Sequence, residues 1–123
     1  MPDVIDLTTH TVGFYRDGTT DVAPNPAGPP RLIDGLVVGA PVITRDAPHG
    51  GEMHPDADEL LFLVSGHADV VMEIDGREEA LELKAGQACI VPRGTWHRTR
   101  LREPSQVLYI TPGPGGESRK PEA

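Results

Sequence analysis

The chain has 123 residues with 19 acidic and 11 basic side chains, and the resulting net charge of −8 argues against a nucleic-acid partner or binding to an anionic membrane. This length predicts one domain, and 14 glycines and 13 prolines with few aromatic residues favour short strands and turns over long helices. The single cysteine, Cys89, excludes an intramolecular disulfide and a zinc-ribbon spacing.

The chain divides by composition into three parts. Residues 1–30 are predicted to form an N-terminal arm with one strand near Thr11 to Tyr15, followed by a proline-rich loop at 23–30. Residues 31–111 carry the strand signals and are predicted to form the β domain. Residues 112–123 are rich in glycine, proline and charge, which predicts a disordered tail.

Short β-rich runs separated by turn residues fill the central part. The clearest pair flanks Asp75-Gly76, because Asp-Gly between two alternating runs is a strong signal for a hairpin. Roughly nine short strands at this spacing predict an all-β fold, a sandwich or jelly roll. No run is long and apolar enough to span a bilayer and the N-terminus is not a signal peptide, so we expect a cytoplasmic protein.

The run from Glu59 to Val64 is apolar on both faces of a strand. If Glu59 points inward, so do Leu61 and Leu63, and the remaining apolar side chains point outward. A strand of this kind is normally covered on both sides. We therefore expect its outer face to lie under the N-terminal segment or against a second copy of the chain, and we favour a homodimer.

Imidazole and carboxylate side chains cluster on either side of these strands. Glu52 and His54 are two residues apart, so on an extended strand they point the same way. Glu59 begins the next apolar run, and His97 begins a later one. Such groups converging inside a β scaffold could hold a divalent metal.

The first of these segments resembles the first motif of the cupin family. That motif contains His-x-His, three or four residues, Glu, six residues and Gly. His54, Glu59 and Gly66 match its spacing, whereas Glu52 stands where the first histidine is expected.

The second segment resembles the second cupin motif. Gly86, Pro92, Gly94 and His97 match it, and Leu101 replaces its terminal asparagine. The resemblance implies a small single-domain protein similar to type-2 cupins, with a jelly-roll barrel over residues 31–111.

The resemblance also implies a metal site. His54, Glu59 and His97 form a two-histidine, one-carboxylate set that suits Fe, Mn, Zn or Ni and leaves coordination positions open. Glu52 points the same way as His54 on an extended strand, so it could be a fourth ligand. It could instead act as a general base. His49 is the rival first ligand, but it lies on the wrong face of a regular strand unless Gly50-Gly51 forms a bulge.

The implied function is a metal-dependent enzyme of the dioxygenase or isomerase type that acts on a small molecule inside the barrel. The alternative is a non-catalytic module that binds a small molecule or a metal, because one fold hosts many activities.

Overall fold

The computed structural model describes residues 3–27 and 30–120. Twelve strands form within these residues and no helix does. The strands are β1 (His10–Tyr15), β2 (Thr20–Pro24), β3 (Gly35–Gly39), β4 (Val42–Ile43), β5 (Gly51–Met53), β6 (Glu59–Ser65), β7 (His67–Ile74), β8 (Arg77–Lys84), β9 (Ala88–Val91), β10 (His97–Leu101), β11 (Ser105–Pro112) and β12 (Glu117–Arg119).

Two antiparallel sheets make up the fold. The larger has the order β2-β1-β3-β11-β6-β9, with β4 also pairing with β11, and the smaller has the order β12-β5-β10-β7-β8. The predicted all-β jelly-roll class is confirmed. Over residues 3–27 and 30–120, no helix is long and apolar enough to cross a membrane.

The hydrophobic core lies between the two sheets. Leu63 and Val107 of the larger sheet are 1% and 6% exposed, and Val70 and Met72 of the smaller sheet are 2% and 3% exposed. This follows from the two-residue alternation of strand side chains, which places every second residue of β6, β7 and β11 in the core. Leu81 shares the inward parity but remains 43% exposed, because β8 is an edge strand.

The predicted hairpin is present between β7 and β8. Ile74 pairs with Arg77, and the two turn residues Asp75 and Gly76 both have positive φ angles, of 51° and 77°. Two consecutive positive φ angles are what a tight two-residue hairpin turn requires, and Asp-Gly adopts them readily.

Both chain ends contribute strands. The N-terminal region supplies β1 and β2 to the larger sheet, and β2 extends to Pro24, inside the segment predicted to be a loop; residues 28 and 29 of that loop lie outside the described residues. At the other end, β12 pairs with β5, with Ser118 opposite Glu52. Residues 117–119 of the predicted tail therefore form a strand, and residues 121–123 of the tail lie outside the described residues.

Candidate metal centre

Two of the predicted ligands lie side by side on neighbouring strands. Glu52 of β5 and His97 of β10 are directly opposite each other in the antiparallel pair. Gly51 allows this approach, because its φ angle is +143° and a Cβ atom there would lie 3.1 Å from the carbonyl oxygen of His97. A side chain at this position would therefore be strained.

The other two predicted ligands flank the turn after β5. His54 follows this strand and Glu59 begins β6, and each is 4% exposed. The backbone N–H of Gly94 donates to the carbonyl of His54 over 2.9 Å, and the backbone N–H of Arg93 donates to the carboxylate of Asp58, also over 2.9 Å. These two hydrogen bonds hold the turn of the first motif against the turn that precedes His97.

The four side chains meet at one point between the sheets. Nε2 of His54 lies 3.5 Å from Oε2 of Glu52 and 3.4 Å from Oε2 of Glu59. Nε2 of His97 lies 2.8 Å from Oε1 of Glu59. The two imidazole centroids are 5.5 Å apart, with the rings tilted by 50°.

Backbone contacts orient His97. Its Nδ1 lies 3.1 Å from the carbonyl oxygen of Thr95, so Nδ1 carries a proton and donates it, and Nε2 is the nitrogen that faces the carboxylates. Burial alone would lower the pKa of His97, but the adjacent Glu59 carboxylate outweighs burial and raises it. The imidazole is therefore held by an acceptor on one side and a negative charge on the other.

His49 contacts the site as the partner of Glu52. The backbone N–H of Gly51 donates to Nδ1 of His49 over 3.2 Å, so in the neutral ring Nε2 carries the proton and donates to Oε1 of Glu52 over 3.0 Å. The second oxygen of Glu52 is left facing His54. Burial would raise the pKa of Glu52, but its contact with His54 and the other nearby histidines lower it overall, which favours an ionised carboxylate.

Thr111 supports Glu59 from the larger sheet. Its hydroxyl group donates to Oε2 of Glu59 over 2.5 Å, and Thr111 is only 3% exposed. A buried hydrogen bond to a ligand carboxylate orients the ligand, as outer contacts commonly do around protein metals.

Several ligand atoms have no hydrogen-bond partner of their own. In residues 3–27 and 30–120, both ring nitrogens of His54 and Oε1 of Glu59 are buried without one, although Oε1 lies 2.8 Å from Nε2 of His97. Nε2 of His54 and Oε1 of Glu59 face the space between the predicted ligands, whereas Nδ1 of His54 lies on the side of Gly116. A buried polar atom left unpaired costs about 1–3 kcal/mol, so a cation in that space would supply the missing partner.

The chemistry of the donor set fits a divalent transition metal. Glu52, His54 and His97 each offer an atom within 4.8 Å of the others, and Glu59 contacts both histidines. Two ionised carboxylates would balance the charge of a divalent cation. Mixed imidazole and carboxylate ligands suit Mn, Fe, Zn, Ni or Co.

A cavity of about 320 Å³ opens onto this cluster. Glu52, Glu59 and His97 line one end of it, and Tyr109 and Thr99 line its walls. Burial, followed by the negative charge of Glu52, raises the pKa of Tyr109, so its hydroxyl group remains protonated. The candidate metal centre can therefore be reached by a small molecule.

A model of the cupin domain matches residues 43–111, more than half of the chain. The chain belongs to the cupin family. The match covers both segments that supply the four ligands and includes Thr111 at its C-terminal end.

Known proteins resemble this cupin over part of their length. The uncharacterized protein YdbB of Bacillus subtilis (strain 168) is 40% identical over 47 residues, which are 38% of this chain and 39% of YdbB. The cupin-2 domain containing protein from Shewanella frigidimarina is 20% identical with a TM-score of 0.55, covering 72% of this chain and 84% of that one.

A structure of Bacillus subtilis oxalate decarboxylase, an enzyme with Mn(II) centres, is also 20% identical, with a TM-score of 0.58. That similarity covers 72% of this cupin but only 24% of the decarboxylase chain. At this identity the two structural similarities show a shared fold. This chain thus spans well under two thirds of YdbB and of the decarboxylase.

The structure brings together all four side chains proposed as ligands from the sequence. His49, the rival first ligand, lies in the loop before β5, where side chains need not alternate as they do in a strand. It reaches the cavity and contacts Glu52. The contribution of Thr111 was not foreseen. The one indication in the sequence is its spacing: Thr111 is four residues after the buried Val107 on β11, so the two side chains point to the same face.

Proposed function

We propose that this cupin is a metal-dependent enzyme that acts on a small molecule in the cavity. One divalent transition metal would be held by His54, His97, Glu59 and Glu52. The observation that carries the proposal is that Nε2 of His54 and Oε1 of Glu59 are buried without a hydrogen-bond partner, close to the carboxylates that line the cavity. Such atoms are rare in folded proteins unless a bound group completes them.

The donor set favours Mn or Fe(II) over copper, because two carboxylates make the site hard and anionic. Zinc and nickel also accept these ligands. When bound, such a metal would supply Lewis-acid polarisation of a substrate oxygen or, in the case of iron, oxygen chemistry. Isomerisation and dioxygenation are accordingly the two reaction types that we propose.

Glu52 is the residue that we assign as the general base. Its side chain is 18% exposed, whereas that of Glu59 is 5% exposed, so Glu52 is the carboxylate that a substrate in the cavity can reach. Its lowered pKa keeps it able to accept a proton, and the hydrogen bond from His49 fixes its orientation. Tyr109 remains protonated and can donate a hydrogen bond to a substrate oxygen.

Metal content tests this proposal. Purified protein supplied with Mn(II) or Fe(II) should carry close to one metal ion per chain by elemental analysis, and His54→Ala and His97→Ala should each lose it. His10→Ala is the matched control, because His10 begins β1, its side chain hydrogen-bonds its neighbour Thr9, and it is not among the described residues that line the cavity. Absence of metal from the reconstituted wild-type protein would refute the proposal.

A non-catalytic binding module is the alternative function, and turnover separates the two. An enzyme should lose turnover of its substrate in Glu52→Gln even when enough metal is added to restore full metal occupancy of the variant. A binding module would retain ligand affinity with a redox-inert metal such as Zn(II) and would show no turnover with any metal.

We further propose that the cupin forms a homodimer through the outer face of the larger sheet. A lateral row of apolar side chains crosses six strands of this face. The row consists of Val22, Val12, Val38, Ile110, Leu60 and Ile90. The N-terminal strands β1 and β2 extend this face instead of covering it, and the two ends of the row, Val22 and Ile90, are 50% and 51% exposed.

The size of this face suits a second copy of the chain. Six strands about 4.8 Å apart give a width of about 24 Å, and with about 15 Å along the strands the apolar patch is on the order of 400 Å². A specific dimer buries about 800 Å² per partner, with an apolar centre and a polar rim.

The cytoplasmic location and the lack of nucleic-acid and membrane partners stay predictions from charge and composition.

A further inference from the structure

The cavity has two chemically different regions. The candidate metal ligands form one end, and the opposite walls consist largely of apolar side chains. These include Pro41, Ile43, Leu101 and Val107. A molecule in the cavity would therefore place one part against polar ligands and the remainder against hydrocarbon.

The charged side chains that line the cavity are all acidic. Glu52, Glu59 and Asp46 contribute carboxylates, and no lysine or arginine is among the described lining residues. The carboxylate of Asp46 accepts a hydrogen bond from the backbone N–H of Leu101 over 2.8 Å, which fixes it at the wall. A second anionic group on a ligand would find no positive partner away from the metal.

Arg31 lies on the inward side of the larger sheet, but its charge is already engaged. Its guanidinium group pairs with Asp21 over 2.8 Å and donates to the hydroxyl group of Thr11 over 3.0 Å. Freeing Arg31 to bind a ligand would leave the Asp21 carboxylate without this partner. Arg31 is therefore already paired and is not available as a free cation for a ligand in the cavity.

We propose that the cavity selects a ring-sized molecule with one polar end and an uncharged, largely apolar body, and that it rejects a molecule with an anionic group at the far end. This inference rests on the proposed function, since it names the substrate class of the same site. The volume is sufficient, because an apolar cavity of about 150 Å³ already accommodates benzene. An unpaired charge placed against apolar walls would be strongly disfavoured.

Two probes that differ only at the far end test this selection. They are 4-methylbenzyl alcohol and 4-(hydroxymethyl)benzoate, which share a hydroxymethyl end and carry a methyl group or a carboxylate opposite it. Their dissociation constants would be measured by NMR titration on metal-free protein, where the carboxylate cannot turn around to bind a metal ion. The neutral probe should bind at least about tenfold more tightly. Equal affinities, a preference for the carboxylate, or no binding of either probe would overturn the inference.

Leu101→Lys adds a positive charge to the apolar wall and shows whether the missing cation causes the preference for the neutral probe. Leu101 is partly buried at the cavity wall, so a lysine there can direct its ammonium group toward the far end of a ligand. The variant should reduce or invert the preference for the neutral probe, and an unchanged preference would contradict the assigned cause. Zinc content measured after reconstitution of the same protein tests the proposed function separately, because the metal-free titration does not depend on it.

Discussion

Replacing Thr111 by valine would remove one hydroxyl group from the candidate metal centre while preserving the shape of the side chain. The hydroxyl group donates to Oε2 of Glu59 over 2.5 Å in a buried setting. In the described residues, Oε1 of the same carboxylate has no hydrogen-bond partner. Thr111→Val would therefore leave the buried Glu59 carboxylate without the donor that orients it.

Thr111→Val should cause two losses, one in the stability of the metal-free protein and one in metal affinity. Removing one partner of a buried hydrogen bond costs about 1–3 kcal/mol, which should appear in the unfolding free energy of the metal-free protein. Loss of an outer hydrogen bond to a metal ligand typically weakens metal binding by about 10–100-fold. That factor corresponds to about 1.4–2.7 kcal/mol of metal-binding free energy, which is measured separately from the loss of unfolding free energy.

The assay is a competition titration with a chelator for Mn(II) or Zn(II) affinity, together with urea unfolding of the metal-free protein. Thr99→Val is the matched control, because Thr99 lines the same cavity whereas Glu59 accepts its hydrogen bond from Thr111. Thr99→Val should change metal affinity by less than about threefold. Equal effects of the two substitutions would refute the assigned role of Thr111.

Three further predictions concern other parts of the molecule. Glu52→Gln should weaken metal retention more than His49→Ala in a dialysis assay, because Glu52 is placed as a ligand and His49 as its support; the reverse order would make His49 the ligand. Ile90→Glu should convert a dimer to a monomer in analytical ultracentrifugation while Leu81→Glu, on the smaller sheet, should not; a monomeric wild-type protein would contradict the proposed interface. Burial raises the pKa of Asp69, but hydrogen bonds from two arginines lower it by more, below its ordinary value of 3.8, so its stabilising effect is present above that value and is lost as the pH falls. Asp69→Asn should therefore lower the unfolding free energy by about 1–3 kcal/mol at pH 7, with a difference that shrinks toward pH 3; a difference independent of pH would argue against this assignment.

The parts of the fold that could be predicted from the sequence depend on local rules. Asp75-Gly76 predicts its hairpin because the turn geometry is encoded in two residues. The parity of β6 predicts Glu59 and Leu63 on the inner face, and both are buried there. Glu52 and His54 meet because they are two residues apart on an extended segment.

The remaining features depend on contacts between segments far apart in the sequence, and the alternation of apolar and polar residues does not predict such contacts. The pairing of β12 with β5 joins residues more than 60 positions apart, and the intervening sequence gives no sign of it. The segment after β11 also reaches the site: the backbone N–H of Gly115 donates to the carboxylate of Asp56, and a Cβ atom on Gly116 would lie 3.1 Å from Nδ1 of His54. The alternation rule for strands does not apply to His49, because it lies in the loop before β5, and its position therefore could not be predicted from its spacing to His54.

The most direct test of the account is anomalous diffraction from crystals of the metal-loaded protein at the absorption edge of the added metal. The account predicts one anomalous peak per chain within coordination distance of Nε2 of His54, Nε2 of His97 and at least one oxygen of Glu59 or Glu52. A peak elsewhere, or none at this point in a fully reconstituted sample, would contradict the metal centre on which the proposed function depends.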